Sequence, residues 1–236
     1  MHSGARSFRL GLRGMTAAAE ASIVERDVQL ATQIPNARLH VAHVSTAEAL
    51  KALRRGKRAK ARITFEVTPH HFTLTDEDMR DYDSNFKMNP PLRSPADREA
   101  ILVALADGTA DAIATDHAPH AAHEKEMEYE RAAFGITGLE TALALAITRL
   151  HVGKLVPLQR IVELLTAGPV RCFDLRGRGS LVRGTFADVT IFDPKKKWTF
   201  DASRSLSKSK NTPFDGWQLM GKVVATIVGG KIVYSA

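Results

Sequence analysis

The chain has 236 residues, with 33 Lys and Arg against 26 Asp and Glu for a formal charge of +7, and 44% of its residues are hydrophobic. This composition is typical of a folded globular protein and excludes a disordered segment. The single cysteine, Cys172, excludes an internal disulfide and a cysteine-only zinc cage, which leaves histidine and carboxylate side chains as candidate metal ligands. Neither a signal peptide nor an apolar run of about 18 residues stands out, so we expect a cytoplasmic protein without a membrane span.

Much of the positive charge lies in one segment, between residues 51 and 62. The segment has no interleaved aromatic residue for base stacking, and it reads as the end of a helix, where cations meet the negative end of the helix dipole. We therefore expect a solvated helix face and no nucleic-acid partner. The residues concerned are Lys51, Arg54, Arg55, Lys57, Arg58, Lys60 and Arg62.

Helix and strand signals alternate along the first two thirds of the chain. Glycine and proline mark the predicted ends, including Gly56 after one helix and Gly168-Pro169 after another. The predicted elements, in chain order, are a helix over 16–34, a strand over 38–44, a helix from Ser45 or Thr46 to about Arg55, a strand over 62–68, a short helix opened by Thr75 and Asp78, a helix from Ser94-Pro95 to near Gly108, a strand over 111–115, helices over 137–150 and 158–166, and strand-like runs over 187–192 and 222–234.

This alternation predicts an α/β fold with a parallel sheet or barrel and helices outside it, followed by a small β-rich domain. We place the boundary near residue 172, giving domains over 1–172 and 173–236. A complete (β/α)8 barrel takes about 250 residues, whereas the first 170 residues here hold only three or four strand-helix units. If the fold is a barrel, this chain contains only part of it.

Polar residues cluster where the predicted strands end. His43 closes the first strand, His70 and His71 follow the second, Asn89 follows an extended piece, and Asp116 closes the last. In parallel α/β folds this edge carries the active site, and imidazole and carboxylate are ordinary zinc ligands. A histidine at a strand end is, taken singly, more often a hydrogen-bonded core or loop residue than a ligand.

The segment from Thr115 to His120 places a carboxylate, Asp116, beside two histidines, His117 and His120, at the start of a long polar loop over 116–135. One interpretation is a potential base next to potential anion-binding groups, because long loops in compact domains are usually functional. The other is an aspartate that caps the following turn.

Several runs of residues resemble one known family. They are Leu39-His40-Val41-Ala42-His43-Val44-Ser45-Thr46, Glu66-Val67-Thr68-Pro69-His70-His71, Asn89-Pro90-Pro91-Leu92-Arg93, Ala114-Thr115-Asp116-His117-Ala118-Pro119-His120, Phe134-Gly135-Ile136-Thr137-Gly138-Leu139-Glu140-Thr141, Ala187-Asp188-Val189-Thr190-Ile191-Phe192-Asp193-Pro194 and Ser207-Lys208-Ser209-Lys210-Asn211-Thr212-Pro213-Phe214. In this order they resemble dihydroorotases of the amidohydrolase superfamily, and the resemblance covers nearly the whole chain. It implies a partial TIM-like (β/α) barrel, about the last three strand-helix units, with a composite β-sandwich domain behind it.

The resemblance also implies roles for the residues at the strand ends. His43 would be a metal ligand at the end of the sixth barrel strand, with His40 structural, and Asp116 would bind metal and carry the proton. His70, which spacing alone makes a candidate ligand, would instead have a packing role or lie behind the metal ligands, because the family takes its other histidine ligands from earlier strands.

Substrate contacts are implied in the same way. Asn89 and His120 would bind the substrate, with His120 near its carboxylate, and the backbone of Phe134 and Gly135 would line the ring. The implied reaction is the reversible, zinc-dependent hydrolysis of dihydroorotate to carbamoyl aspartate in pyrimidine biosynthesis, with one or two zinc ions. The implied partners are this small-molecule substrate and either aspartate transcarbamoylase or a second copy of the chain.

Other family motifs are missing from this sequence. The His-x-His pair with its following arginine, the bridging carboxylate or carboxylated lysine and the fifth-strand histidine would all precede residue 1, so we expect a C-terminal portion that is inactive alone and holds zinc weakly. Two alternatives remain. One is a sibling cyclic amidase such as allantoinase or hydantoinase, which the runs over 89–93 and 116–120 disfavour. The other is a non-catalytic, dihydroorotase-like assembly partner.

Overall fold

A computed structural model describes residues 1–80 and 82–236. Its α-helices are α1 (Ala5–Leu10), α2 (Ala17–Gln33), α3 (Ala47–Arg58), α4 (Pro69–Thr73), α5 (Pro95–Ala106), α6 (Ala122–Lys125), α7 (Ala142–Ala146), α8 (Leu158–Leu165) and α9 (Ala167–Phe173), with a π-helical turn at Ile147–His151 and short 3-10 helices at Asp76–Asp78, Ser84–Phe86 and Ala202–Arg204. Its strands are β1 (Arg38–Val41), β2 (Arg62–Val67), β3 (Ala112–Ile113), β4 (Val189–Thr199), β5 (Gln218–Val228) and β6 (Lys231–Ser235). Parallel and antiparallel sheets are both present, which confirms the mixed α/β class.

The first sheet is parallel, in the order β1-β2-β3, with Leu39 opposite Ile63 and Val67 opposite Ile113. Side chains alternate along β2: Phe65 and Val67 are fully buried, whereas Glu66 lies on the opposite, half-exposed face. The buried side packs against helices α3 and α5 in one apolar core. The three strands therefore present their carboxyl ends at one edge, as the sequence predicts.

Helix α3 begins as predicted but ends later than predicted. Its N-cap is Thr46, whose side chain accepts the N–H of Ala49, whereas Ser45 bonds elsewhere. The helix also continues through Gly56 to Arg58. A Cβ atom at Gly56 would lie 2.4 Å from Ile63 Cδ1 and 2.8 Å from Val28 Cγ1. Gly56 therefore serves the close packing of α3 against its neighbours, and the prediction that it ends the helix is wrong.

Two further helix predictions need correction. The helix predicted over 158–166 is confirmed as α8, but Gly168-Pro169 lies in the first turn of a further helix, α9, where proline is tolerated. The helix predicted over 137–150 begins only at Ala142, because the N–H of Thr137 donates to the carbonyl of Asn211 and the N–H of Gly138 donates to His117 Nδ1. These contacts keep Thr137 and Gly138 outside the helix, and residues 139–141 form a turn before it.

The basic segment at the end of α3 is partly paired with carboxylates. Arg54 lies 2.7 Å from Asp107, Lys57 Nζ lies 2.5 Å from Asp111, and Arg55 contacts Glu25. These pairs tie α3 to the neighbouring helices and to the start of β3.

The C-terminal part forms an antiparallel sheet in the order β4-β5-β6, with β5 in the centre. It does not stand apart from the rest of the chain. Phe214 and Leu219 share a second apolar core with Met88 and Leu145. The division at residue 172 stays a prediction. In the described part of the chain no helix has both the length and the apolar character needed to cross a membrane.

Candidate active site

The two residues predicted to bind metal follow the outer strands of the parallel sheet. His43 follows β1 with φ of 39°, and Asp116 follows β3 with φ of 47°. Left-handed backbone is uncommon for residues other than glycine, and it turns each of these residues away from the strand direction as the chain leaves the sheet. Both side chains are half-buried.

Strand β2 separates these two residues. Neighbouring strands lie about 5 Å apart, so the two strands that lead to His43 and Asp116 are about 10 Å apart at this edge. Within residues 1–80 and 82–236 no group of three or more His, Cys, Asp or Glu side chains is placed to hold a metal ion. His43 and Asp116 therefore fit part of a zinc site, since a catalytic zinc normally has three protein ligands.

The two histidines after β2 are both buried, and their surroundings differ. His71 is held on both nitrogens, because Nε2 lies 3.0 Å from the Pro90 carbonyl and Nδ1 lies 2.8 Å from Thr68 Oγ1. A carbonyl only accepts, so Nε2 carries the hydrogen and the Thr68 hydroxyl donates to Nδ1. Burial lowers the pKa of His71 from 6.5 to about 4, so the ring is neutral at pH 7.

His70 lies between the strand ends that carry His43 and Asp116. Burial lowers its pKa well below the usual value, and the neighbouring His71 and His43 act in the same direction. Its Nε2 atom is buried and has no hydrogen-bond partner among the residues that the structure describes. His70 is thus a buried, neutral ring, and the packing role that the resemblance implies stays a prediction.

A charged network fixes the loop that carries His43. The Glu20 carboxylate, on α2, accepts the N–H groups of Ser45 and Thr46 at 2.9 and 3.0 Å, and it also accepts both of their hydroxyl groups. Arg93 donates to Ser45 Oγ at 3.0 Å and to the Met15 carbonyl at 2.9 Å, and it lies 3.4 Å from Glu20. The backbone that leaves His43 is therefore held from two sides.

Asn89 and His43 line the same cavity. This cavity has a volume of about 660 Å³, and its wall includes Glu20, Pro90 and Arg93. Asn89 is exposed. The structure thus places this predicted substrate contact beside the predicted metal ligand.

The other three predicted substrate contacts form a second cluster, on the loop over 116–135. His120 Nε2 lies 2.8 Å from the carbonyl oxygen of Phe134, and its Nδ1 lies 3.5 Å from Glu124. Gly135 has φ of 120°, and a Cβ atom there would lie 2.4 Å from Ala118 Cβ and 3.6 Å from His120 Nε2. Only glycine fits this approach, so His120, Phe134 and Gly135 are brought together.

Four residues that support these positions were not singled out for a role from the sequence. Asn211 stands inside a run that carries the family resemblance, and Glu20 lies in the helix predicted over 16–34, but nothing in their spacing shows what they bond. Lys87 and Lys125 read as ordinary charged residues, and only the structure shows that both are buried.

Comparison with known proteins identifies the family of this chain. A family model described as "Amidohydrolase family" matches residues 12–233, and the chain belongs to that family. Among its relatives, the dihydroorotase of Anaeromyxobacter dehalogenans (strain 2CP-C) is 51% identical over 236 residues, which are 99% of this chain and 54% of the relative. The dihydroorotase of Solibacter usitatus (strain Ellin6076) is 50% identical over 235 residues. The chain thus spans about half the length of the curated relatives it matches.

Solved structures give the same fold with other names. The L-hydantoinase (dihydropyrimidinase) from Arthrobacter aurescens superposes with a TM-score of 0.86 at 28% identity. The superposed region covers 92% of this chain and 49% of that protein. A D-hydantoinase structure has a TM-score of 0.84 at 23% identity, a likeness that shows the fold alone. Identity is therefore much higher to the dihydroorotase relatives than to the hydantoinase structures.

Proposed function

We propose that this chain carries the C-terminal part of a dihydroorotase, whose reaction is the reversible hydrolysis of dihydroorotate to carbamoyl aspartate in pyrimidine biosynthesis. The observation that carries the proposal is the identity of about 50% to dihydroorotases along the whole chain. Further support comes from the positions of His43 and Asp116, which follow two strands at the same edge of the parallel sheet. The predicted substrate contacts lie nearby, Asn89 in the cavity beside His43 and the other three on the loop over 116–135. The parallel strands β1, β2 and β3 would be the last three strands of a (β/α)8 barrel, and residues 173–236 would form the β-rich domain.

Zinc is the proposed metal, with His43 and Asp116 as two of its ligands and the remaining ligands supplied by polypeptide outside this sequence. When bound, zinc would activate water and polarise the carbonyl group of the ring amide. The Asp116 carboxylate would take the proton from the attacking water and pass it to the leaving nitrogen. Its position at the open end of β3 leaves it half-exposed, which suits a group that exchanges protons with a substrate.

Substrate binding would involve both clusters. Asn89 would bond the ring from the cavity beside His43. His120, whose Nδ1 lies 3.5 Å from Glu124, would pair with the substrate carboxylate. The backbone of Phe134 and Gly135 would line the ring. A cytoplasmic location and a partnership with aspartate transcarbamoylase or a second copy of the chain belong to the same proposal.

The test is to assay this chain alone and together with the part of the Anaeromyxobacter dehalogenans relative that precedes the matched region. We expect weak zinc binding and no turnover from the chain alone, because two ligands do not close a catalytic zinc site. Mixing should raise zinc per chain and solubility, because the unpaired edges of β1 and β3 would gain partners, and it should produce ring opening.

Three substrates separate the alternatives. Hydrolysis of dihydroorotate in preference to allantoin and hydantoin would support the proposal, whereas preference for either of the other rings would indicate a sibling amidase. Co-purification with aspartate transcarbamoylase, without metal or turnover after mixing, would favour the non-catalytic assembly partner. Ordinary enzyme rates from the chain alone would contradict the division of the site between two pieces.

A further inference from the structure

The side chain of Asn211 connects the C-terminal segment to both ends of the loop over 116–135. Its Nδ2 donates to the carbonyl of Ala118 at 2.9 Å and to the carbonyl of Gly135 at 3.1 Å, while Oδ1 accepts the N–H of His120 at 3.3 Å. Asn211 is only 6% exposed, so these bonds are not exchanged with water. One buried amide thus holds the His120 backbone and the Gly135 backbone at a fixed separation.

A buried ammonium group completes this contact. Lys125 Nζ donates to the carbonyls of Gly135 at 3.0 Å and Ala133 at 2.9 Å, and it lies 3.4 Å from the carbonyl of Lys87. Burial lowers the pKa of Lys125 to about 8, and the nearby Lys87 charge adds to this effect. Placing a charge here costs free energy, and the bonds to the three carbonyls offset that cost.

Lys87 holds the middle of the same loop. Its Nζ donates to the carbonyls of Glu130 at 2.9 Å and Ala132 at 2.6 Å, and its own carbonyl accepts the N–H of Gly135 at 2.9 Å. Both backbone polar groups of Gly135 are therefore bonded to the protein. Without these side chains the loop would have few apolar contacts to order it, apart from Tyr129 and Ala132.

We propose that Asn211, with Lys125, is a positioning residue that sets the separation of His120 and the Phe134–Gly135 backbone in the substrate site. The inference rests on the proposed function, because it assigns His120 and that backbone to one ligand. The amide of Asn211 fits the task because it both donates to carbonyls and accepts from an N–H, which neither a carboxylate nor an ammonium group does at pH 7.

The test uses Asn211→Asp at pH 7.5, a change of almost equal size that places a carboxylate oxygen next to two carbonyl oxygens. Hydrogen–deuterium exchange on peptides covering 117–121 and 133–137 should become at least about 10-fold faster, while peptides from β1 and β2 stay protected. In the complemented enzyme, KM for dihydroorotate should rise at least about 10-fold with a smaller change in kcat, because the binding groups lose their mutual position. Asn36→Asp, the same change at an exposed turn, is the matched control and should alter neither quantity.

Each outcome decides the proposal. Unchanged hydrogen–deuterium exchange in both peptides would show that Asn211 does not restrain the loop. Faster exchange with an unchanged KM would show that the restraint does not contribute to substrate binding. If Asn211→Asp fails to fold, Asn211→Ser takes its place with the same two readouts, since it removes the amide without adding a charge. If the complemented wild-type protein opens no ring, the proposed function fails, and the exchange comparison still decides whether Asn211 fixes the two ends of the loop.

Discussion

Replacing Glu20 by alanine should lower the free energy of unfolding by about 3–5 kcal/mol, the range for breaking a buried ion pair. The Arg93 side chain is 4% exposed and the Glu20 side chain 13%, so the remaining guanidinium would lose its counterion in a place that water barely reaches. The N–H groups of Ser45 and Thr46, both on fully buried residues, would lose their acceptor at the same time. Each unsatisfied buried donor costs about 1–3 kcal/mol, but these losses overlap with that of the ion pair and do not simply add.

The assay is equilibrium urea unfolding followed by circular dichroism, with Glu25→Ala as the matched control. Glu25 lies on the same helix, α2, and pairs with Arg55 at the surface, where both side chains are more than a third exposed. Exposed pairs contribute about 0–1 kcal/mol, so the control should lose little while having the same change in helix propensity. A loss for Glu20→Ala no larger than that for Glu25→Ala would refute the idea that this network holds the loop after β1.

Three further predictions concern the site and its pH dependence. Asp116→Asn in the complemented enzyme should keep the fold but lower turnover by about 10² or more, since the amide accepts no proton; near-normal kcat in folded, zinc-bound protein would remove Asp116 from proton transfer. His120→Ala should raise KM for dihydroorotate without loss of zinc in elemental analysis, and loss of zinc would make His120 a metal ligand instead. Because the unfolded chain protonates His71 near pH 6.5 and the folded chain only near pH 4, stability should fall as the pH drops through this window, by up to about 3 kcal/mol. Urea midpoints at pH 7 and 4.5 should therefore differ less in His71→Gln than in the wild type, and equal differences would contradict the assignment.

The sequence predicts this fold well where local signals decide the structure. Thr16 and Ser94 begin α2 and α5 with side-chain caps, as their residue types indicate, and the alternation in 62–68 gives β2. Predictions fail where packing overrides a local signal. Gly56 reads as a helix end, but its missing side chain makes room for Ile63 and Val28.

The site divides in the same way. His43 and Asp116 could be placed at one edge from the sequence, because strand ends in a parallel sheet meet there. The contacts that hold the predicted substrate contacts in place could not be predicted, since Asn211 is separated from Gly135 by 76 positions and nothing local specifies the pairing. The burial of Lys87 and Lys125 depends likewise on the completed loop around them.

The position of Asn211 has a consequence for the order in which the protein matures. A ribosome makes the chain from its N-terminus, so His120 and Gly135 are synthesised long before the amide that joins them. The segment with Asn211 also brings Phe214 into the core shared with Met88 and Leu145. The hydrogen bonds of Asn211 and the packing of Phe214 therefore form from the same short segment. A nascent chain that stops short of this segment has the strand-end residues but lacks the Asn211 bonds to Ala118, His120 and Gly135.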